Sequence, residues 1–266
     1  MNICFAKAKF WSVGKWVIEI ALYVGGVIAV FVPAASHEYP PVALVTALIL
    51  AGVAARAEKL KGIAENLKRD HEYWQGFGRP PSRSRLADIQ VCTSGKLSES
   101  ENEFLRQGLI FSSGKPVGPS RVVENLVETA WFTKHLAGSC RNIFFAVFVV
   151  SLILSVVLLL ITASSAAQVS SRLAAAKCVS ATLTFLISVG VLREWLSFLE
   201  FSKNAGEIEA EAERLCRGDV TEFEAQRLLA EYQMIRAAAP LIPTVAWKIR
   251  RDALNEAWKQ LKHPRT

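Results

Sequence analysis

Tyr73 and Trp74, followed by Arg79, Arg83 and Arg85 in "YWQGFGRPPSRSR", place two flat aromatic faces and three guanidinium groups within thirteen residues. Guanidinium forks pair with phosphate oxygens and aromatic rings stack on bases, so this set suits a ligand that carries both. Arg250 and Arg251 form a second basic pair near the C-terminus. The same arginines also suit a solvated basic loop beside an anionic membrane surface.

Catalytic patterns are weaker. Asp70, His71 and Glu72 are adjacent, with His135 as a second histidine, but neighbours on a helix point in different directions and no nucleophile–base pair accompanies them. A non-enzymatic protein without a cofactor is expected. Glu207, Glu209, Glu211 and Glu213 alternate along a helical stretch, where carboxylates two apart do not converge, so they read as a solvated face and not a metal site. The five cysteines, at 4, 92, 140, 178 and 216, show no zinc-ligand spacing and read as free thiols in a reducing compartment. The net charge of +7 is accounted for by the membrane orientation derived below, and no nucleic-acid footprint is needed.

The elements that must position these residues are unusually apolar. Hydrophobic side chains make up 52% of the chain and charged ones 21%. Ile143 to Ala163 runs 21 residues without a charge, enough at about 1.5 Å per residue to cross a hydrocarbon core of about 30 Å. Three further stretches accompany it: Val13 to Val32, Val42 to Ala55 after Pro40 and Pro41, and Leu173 to Leu192, interrupted by Lys177. Lys15 and Glu19 sit in the outer turns of the first stretch, where long side chains reach the interface. A cleaved signal peptide is the rival reading of that stretch, since Lys7 and Lys9 precede it and "PAAS" follows. The fold class expected is all-α, an integral membrane protein with four transmembrane helices in two hairpins and a helical cytoplasmic body. Its boundaries are 1–55 for the first hairpin, 56–140 for a cytoplasmic segment, 141–192 for the second hairpin and 193–266 for a cytoplasmic tail.

Lysine and arginine are distributed unevenly. Three precede Glu19, none lies between Pro33 and Pro41, fourteen lie from Arg56 to Arg141, and twelve follow from Arg193 onward. The positive-inside rule then puts both termini and the middle segment in the cytoplasm. Small residues recur at every fourth position in the first two stretches, Ala21, Gly25 and Ala29, then Ala43, Ala47, Ala51 and Ala55, which suits a tight helix pair in lipid. Ser151 and Ser155, with Ser180, Thr184 and Ser188, are expected as interhelical hydrogen-bonding groups.

Outside the spans, "RAEKLKGIAENLKRDHEYWQGFG" continues the second stretch as a helical stalk that Gly76 and Gly78 end. "SRVVENLVETAWFTKHLAGSCRN" leads into the third, with Val122, Leu126 and Ala130, or Val123, Val127 and Ala130, on one side, and "REWLSFLEFSKNAGEIEAEAERLCRG" leads out of the fourth. Ser98 with Glu101, and Thr221 with Glu224, form capping-box patterns. Phe223, Leu228, Ala230 and Tyr232 are candidate packing positions on the helix that Thr221 starts. Trp247, Leu254 and Trp258 share a face of the closing helix, which either caps the bundle or lies on an anionic membrane.

The run "AEYQMIRAAAPLIPTVAWKIRRDALNEAW" resembles the C-terminal signature of the SMODS-associated four-transmembrane effectors, with Gln233, Arg236, Pro243, Trp247 and Arg251 at the matching positions. The layout of hairpin, cytoplasmic segment, hairpin and tail is similar to that family too. The resemblance implies a bacterial inner-membrane effector of anti-phage defence. A cyclic nucleotide made by a partner nucleotidyltransferase would trigger it to homo-oligomerise and disrupt the lipid bilayer, and the arginines and aromatics above would be its nucleotide contacts. The alternative is a non-enzymatic membrane anchor or adaptor whose cytoplasmic helices hold a partner protein.

Overall fold

A computed structural model describes residues 2–31, 33–80, 82, 113–164, 176, 179, 182 and 190–262. Among them the chain is all-α, with no strand. The helices are α1 (Asn2–Phe31), α2 (Pro33–Phe77), α3 (Pro119–Ser164), α4 (Val191–Cys216), α5 (Glu222–Ala238) and α6 (Thr244–Lys262). Two compact units are formed. The body comprises Met1–Ala8, Lys59–Ser139 and Phe198–Thr266, and the apolar unit comprises Lys9–Glu58 and Cys140–Ser197. Helices α1, α2, α3 and α4 each contribute to both.

Two helices among the described residues are long and apolar enough to cross a membrane, α2 over Tyr39–Phe77 and α3 over Pro119–Val157. Only 6% and 11% of their most apolar stretches are buried, whereas a soluble core helix of that composition would be mostly covered. On α1, Phe10, Val13, Val17, Ile20, Val24 and Ile28 are exposed, and their spacing of three and four residues makes one continuous apolar stripe. Most of the stretch from Leu173 to Leu192, with Lys177, Ser180, Thr184 and Ser188, lies outside the described residues, as does the Ser98–Glu101 capping pattern.

The connection expected between the first two stretches is instead helical, because α1 ends at Phe31 and α2 begins at Pro33. A proline opens a helix without penalty, since its missing N–H would have no intrahelical acceptor there. Further along, Tyr39 Oη donates to the Leu22 carbonyl at 2.7 Å, and a Cβ on Gly25 would lie 3.2 Å from the Tyr39 ring. Gly25 thus meets an aromatic ring. Ala29 and Ala43 are half-buried, while Ala21, Ala47, Ala51 and Ala55 are exposed within this chain.

The body is built on α3, α4 and α5, whose buried Val122, Val123, Leu126, Ala130, Ile208, Ala212, Leu215, Ala225, Leu228, Leu229 and Tyr232 form one cluster. Both packing registers expected for α3 are therefore used at once. Helix α2 stops after Phe77, where Gly78 adopts φ +68, a left-handed conformation that glycine takes without steric cost. Two residues earlier a Cβ on Gly76 would lie 2.4 Å from Val122 Cγ2, so the absence of a side chain lets α2 approach α3. Thr221 caps α5 with its side chain on the Glu224 N–H while Glu224 returns the bond, satisfying amides that a helix start leaves open. Phe223, expected in the core, is 76% exposed because it occupies the second position after that cap, on the outer face. Glu209 also departs from expectation. It is buried against Lys134 at 2.6 Å, a lysine whose carbonyl accepts from Ser202 Oγ at 3.0 Å.

Helix α6 packs through Leu254 and Trp258 onto Trp131 and Leu136, with Phe132, Ile242 and Trp247 around them. Trp131 and Trp258 lie 5.2 Å apart between ring centroids, within the range where aromatic pairs attract. The tryptophan face thus belongs to the body.

Candidate functional site

Chain geometry brings a set of polar side chains into the interior of the body where α2, α3 and α5 meet. Glu65 and Glu72 are seven residues apart on α2, two turns along one face. Gln233 and Arg236 are three apart on α5, and all four are buried. Arg236 grips Glu72 with both ends of its fork, Nη1 donating to Oε1 at 2.5 Å and Nη2 to Oε2 at 3.1 Å. Its Nε donates to Glu65 Oε2 at 2.7 Å. Gln233 Nε2 adds a bond to Glu72 Oε2 at 2.9 Å. Tyr232 lies beneath the guanidinium, 5.3 Å from ring centroid to Cζ, and shares a 2.8 Å hydrogen bond with Thr133 on α3.

Charge states follow from this packing. Burial alone would push the Glu72 carboxyl up, but the positive charges of Arg236 and Lys68 and the bonds from Arg236 and Gln233 outweigh it and hold it below its ordinary value. Burial works against the Arg236 cation as well, and the Glu72 carboxylate more than compensates. Burial pushes the Tyr232 hydroxyl up, which keeps it neutral and able to donate. His71, one residue before Glu72 and 2% exposed, is driven down by burial despite the nearby Glu72 charge. It is a neutral imidazole at neutral pH.

Glu72, Asn125, Thr129, Tyr232, Val122, Leu126 and Leu229 line a cleft beside this junction with room for about one water molecule. The Asn125 Oδ1 in it has no partner among the described residues. Chemically, the arrangement is a bidentate ion pair with amide and hydroxyl support, which fixes the register of two helices. It contains no activated nucleophile. No three His, Cys, Asp or Glu side chains converge on a metal-sized site among the described residues.

Among the described residues, those expected to contact a nucleotide are distributed over α2, the turn that follows it, and α6. Tyr73 packs against the core cluster with Phe77, their rings 5.7 Å apart. Trp74 is half-buried beside His71. Arg79 pairs with Glu222 at 2.5 Å and lies over Phe77. Arg83 and Arg85 lie outside the described residues. Arg250 and Arg251 are exposed on α6, with Arg251 on Asp252 at 3.0 Å. Of the positions carrying the family likeness, Gln233 and Arg236 lie at the buried junction, Trp247 packs near Phe132, and Pro243 precedes α6, its carbonyl accepting from Trp247 N at 3.4 Å.

Sequence reasoning did not find Glu65 or Thr133, and it considered Glu72 only as part of a catalytic triplet. The available signal was the seven-residue spacing of Glu65 and Glu72, in step with Ala57, Ala64 and His71, which are also buried. No family model, curated protein or solved structure matches the chain.

Proposed function

We propose that this protein is an inner-membrane effector of bacterial anti-phage defence. A cyclic nucleotide from a partner nucleotidyltransferase acts on the cytoplasmic body, and four spans then assemble between copies to breach the membrane. Both termini are cytoplasmic in this reading. The observation that supports it is the continuity of α2, which carries an exposed apolar stretch and, on the same 45-residue helix, Glu65 and Glu72 clasped by Arg236. A helix without a break transmits rotation, so a ligand that displaces α5 also turns the apolar part of α2.

A second reading, a membrane anchor or adaptor, draws support from a different observation. Arg79 is already paired with Glu222, and the cleft beside Glu72 admits only a water molecule, so nucleotide binding requires rearrangement. Proteoliposomes carrying the full chain and an entrapped dye separate the two. The effector reading expects release only on addition of a cyclic dinucleotide or trinucleotide. Silence to the whole panel, or release that ignores it, leaves the adaptor. Orientation is tested with a single cysteine at Ser36, expected to react with an impermeant thiol reagent in intact cells.

A further inference from the structure

The apolar unit is made of two stretches of chain, residues 9–58 and 140–197, and each of its four helices carries a cation close to where that stretch starts or stops. Lys9 opens the first stretch on α1 and Arg56 nearly closes it on α2, while Arg141 follows the opening of the second on α3 and Arg193 precedes its close on α4. Chain continuity therefore puts all four at one end of the unit, the end at which its helices pass into the body. Among the described residues the unit's one other lysine or arginine is Lys15, which is paired with Glu19 at 3.7 Å. Arg56 and Arg193 are exposed, and Lys9 and Arg141 are half-buried. None of the four is paired with a carboxylate among the described residues. Arg141 directs Nε and Nη2 to the neutral Asn142 Oδ1, at 3.0 and 2.9 Å, which leaves its charge uncompensated. Glu58 and Glu194 lie at the same end, so four cations stand against two carboxylates and the end is net positive.

Aromatic side chains lie just inside this charge. Phe144 and Phe145, one turn beyond Arg141, reach different neighbours. The Phe144 ring meets Trp16 of α1 at 5.6 Å, and the Phe145 ring meets Trp195 of α4 at 5.3 Å. Phe10, beside Lys9, is 72% exposed, and Ile143, two residues past Arg141, is 53% exposed, so exposed hydrocarbon begins next to the cations. Uncompensated cations that border exposed hydrocarbon, with tryptophans at the border, suit a membrane–water interface, where guanidinium forks meet phosphate oxygens and indole rings sit at headgroup level. A zwitterionic lipid brings an ammonium with its phosphate. Only a lipid of net negative charge offsets the excess.

We propose that Lys9, Arg56, Arg141 and Arg193 form a binding surface for the phosphate groups of anionic phospholipids, and that this surface fixes the depth of the apolar unit in the bilayer. The inference rests on the membrane-spanning reading and is independent of any messenger.

Native mass spectrometry of the full chain in mild detergent, titrated with phosphatidylglycerol or phosphatidylcholine, measures the lipid retained. Phosphatidylglycerol should be retained in preference. A cation beside an anionic headgroup layer contributes about fivefold in affinity, so Arg141→Gln and Arg193→Gln should each weaken phosphatidylglycerol retention about fivefold, and both together about 25-fold, with phosphatidylcholine retention unchanged. Arg193→Lys keeps the charge and should keep most of the retention. Lys203→Gln with Arg217→Gln removes two exposed cations of the body and should not alter it. Equal retention of the two lipids overturns the proposal, as does a loss in the body variant that matches the loss in the Arg141 and Arg193 pair, which would assign the preference to net charge. Displacement of phosphatidylglycerol by inorganic phosphate at constant ionic strength also overturns it, because the surface would then take a free anion. Where the paired substitution unfolds the chain, the single variants decide. If carbonate strips the chain from the membrane, the spanning reading has failed. Retention in the membrane without a lipid preference fails this inference alone.

Discussion

Replacing Arg236 by methionine removes one cation and three charge-assisted hydrogen bonds to carboxylates, while leaving Glu65 and Glu72 buried. The arginine alone also shows its ring contact with Tyr232, but the larger loss comes from the carboxylates. Breaking a buried ion pair from one side costs about 3–5 kcal/mol, because the remaining charge has neither water nor a partner. In a body of this size each kcal/mol moves the midpoint by about 2–4 °C, so a drop of about 6–20 °C is expected. Thermal unfolding of the detergent-solubilised chain, followed by tryptophan fluorescence from Trp131, Trp247 and Trp258, measures it.

The triple variant Arg236→Met, Glu65→Gln, Glu72→Gln makes the reasoning falsifiable. It removes the charges of Arg236, Glu65 and Glu72 together, and concerted replacement of buried ion pairs is commonly neutral or stabilising. Recovery to within about 1 kcal/mol of the parent is expected. Acid provides a parallel readout. Glu72 is held below its ordinary 4.5, so it adds stability that is complete above 4.5 and disappears as pH falls through the folded value. The triple variant should lose that component. If Arg236→Met alone costs less than about 1 kcal/mol, the carboxylates are solvated and the junction does not hold α2 to α5.

Gly76→Ala drives a methyl group into Val122, costing about 1–3 kcal/mol by overpacking, and Val122→Ala in the same chain should restore most of it; denaturant midpoints report both. Thr221→Ala deletes the reciprocal cap of α5 and should cost about 0.5–2 kcal/mol, read by the same melts. His71 titrates below its ordinary 6.5, so the folded state favours neutral imidazole and stability declines as pH drops under 6.5, by up to about 1.4 kcal/mol per unit. His71→Phe should flatten that limb in a pH series of melts. Arg79→Ala breaks an exposed pair with Glu222 and should change stability by less than about 1 kcal/mol, so any loss of nucleotide response in the dye-release assay would belong to binding.

Helical continuity was legible in the sequence because it is local. No proline or glycine pair interrupts Val42 to Gln75, and Thr221 with Glu224 identify a cap without reference to anything distant. The junction was not legible, for a reason that is also physical. Arg236 and Glu65 are 171 residues apart, and a charged side chain on a helix faces water unless another element supplies its partner. Glu209 shows the same limit, since its neighbours Glu207, Glu211 and Glu213 follow one pattern and Lys134 on another helix singles it out. Glu19 is buried for a related reason, since depth along a helix says nothing about azimuth, and azimuth is set by which face the other helices cover. Where a buried charge sits in this chain is therefore decided by its complement on a second helix, and the same rule directs attention from the arginine-rich loop to the paired carboxylates of α2. Those carboxylates lie on a helix that continues into the apolar unit.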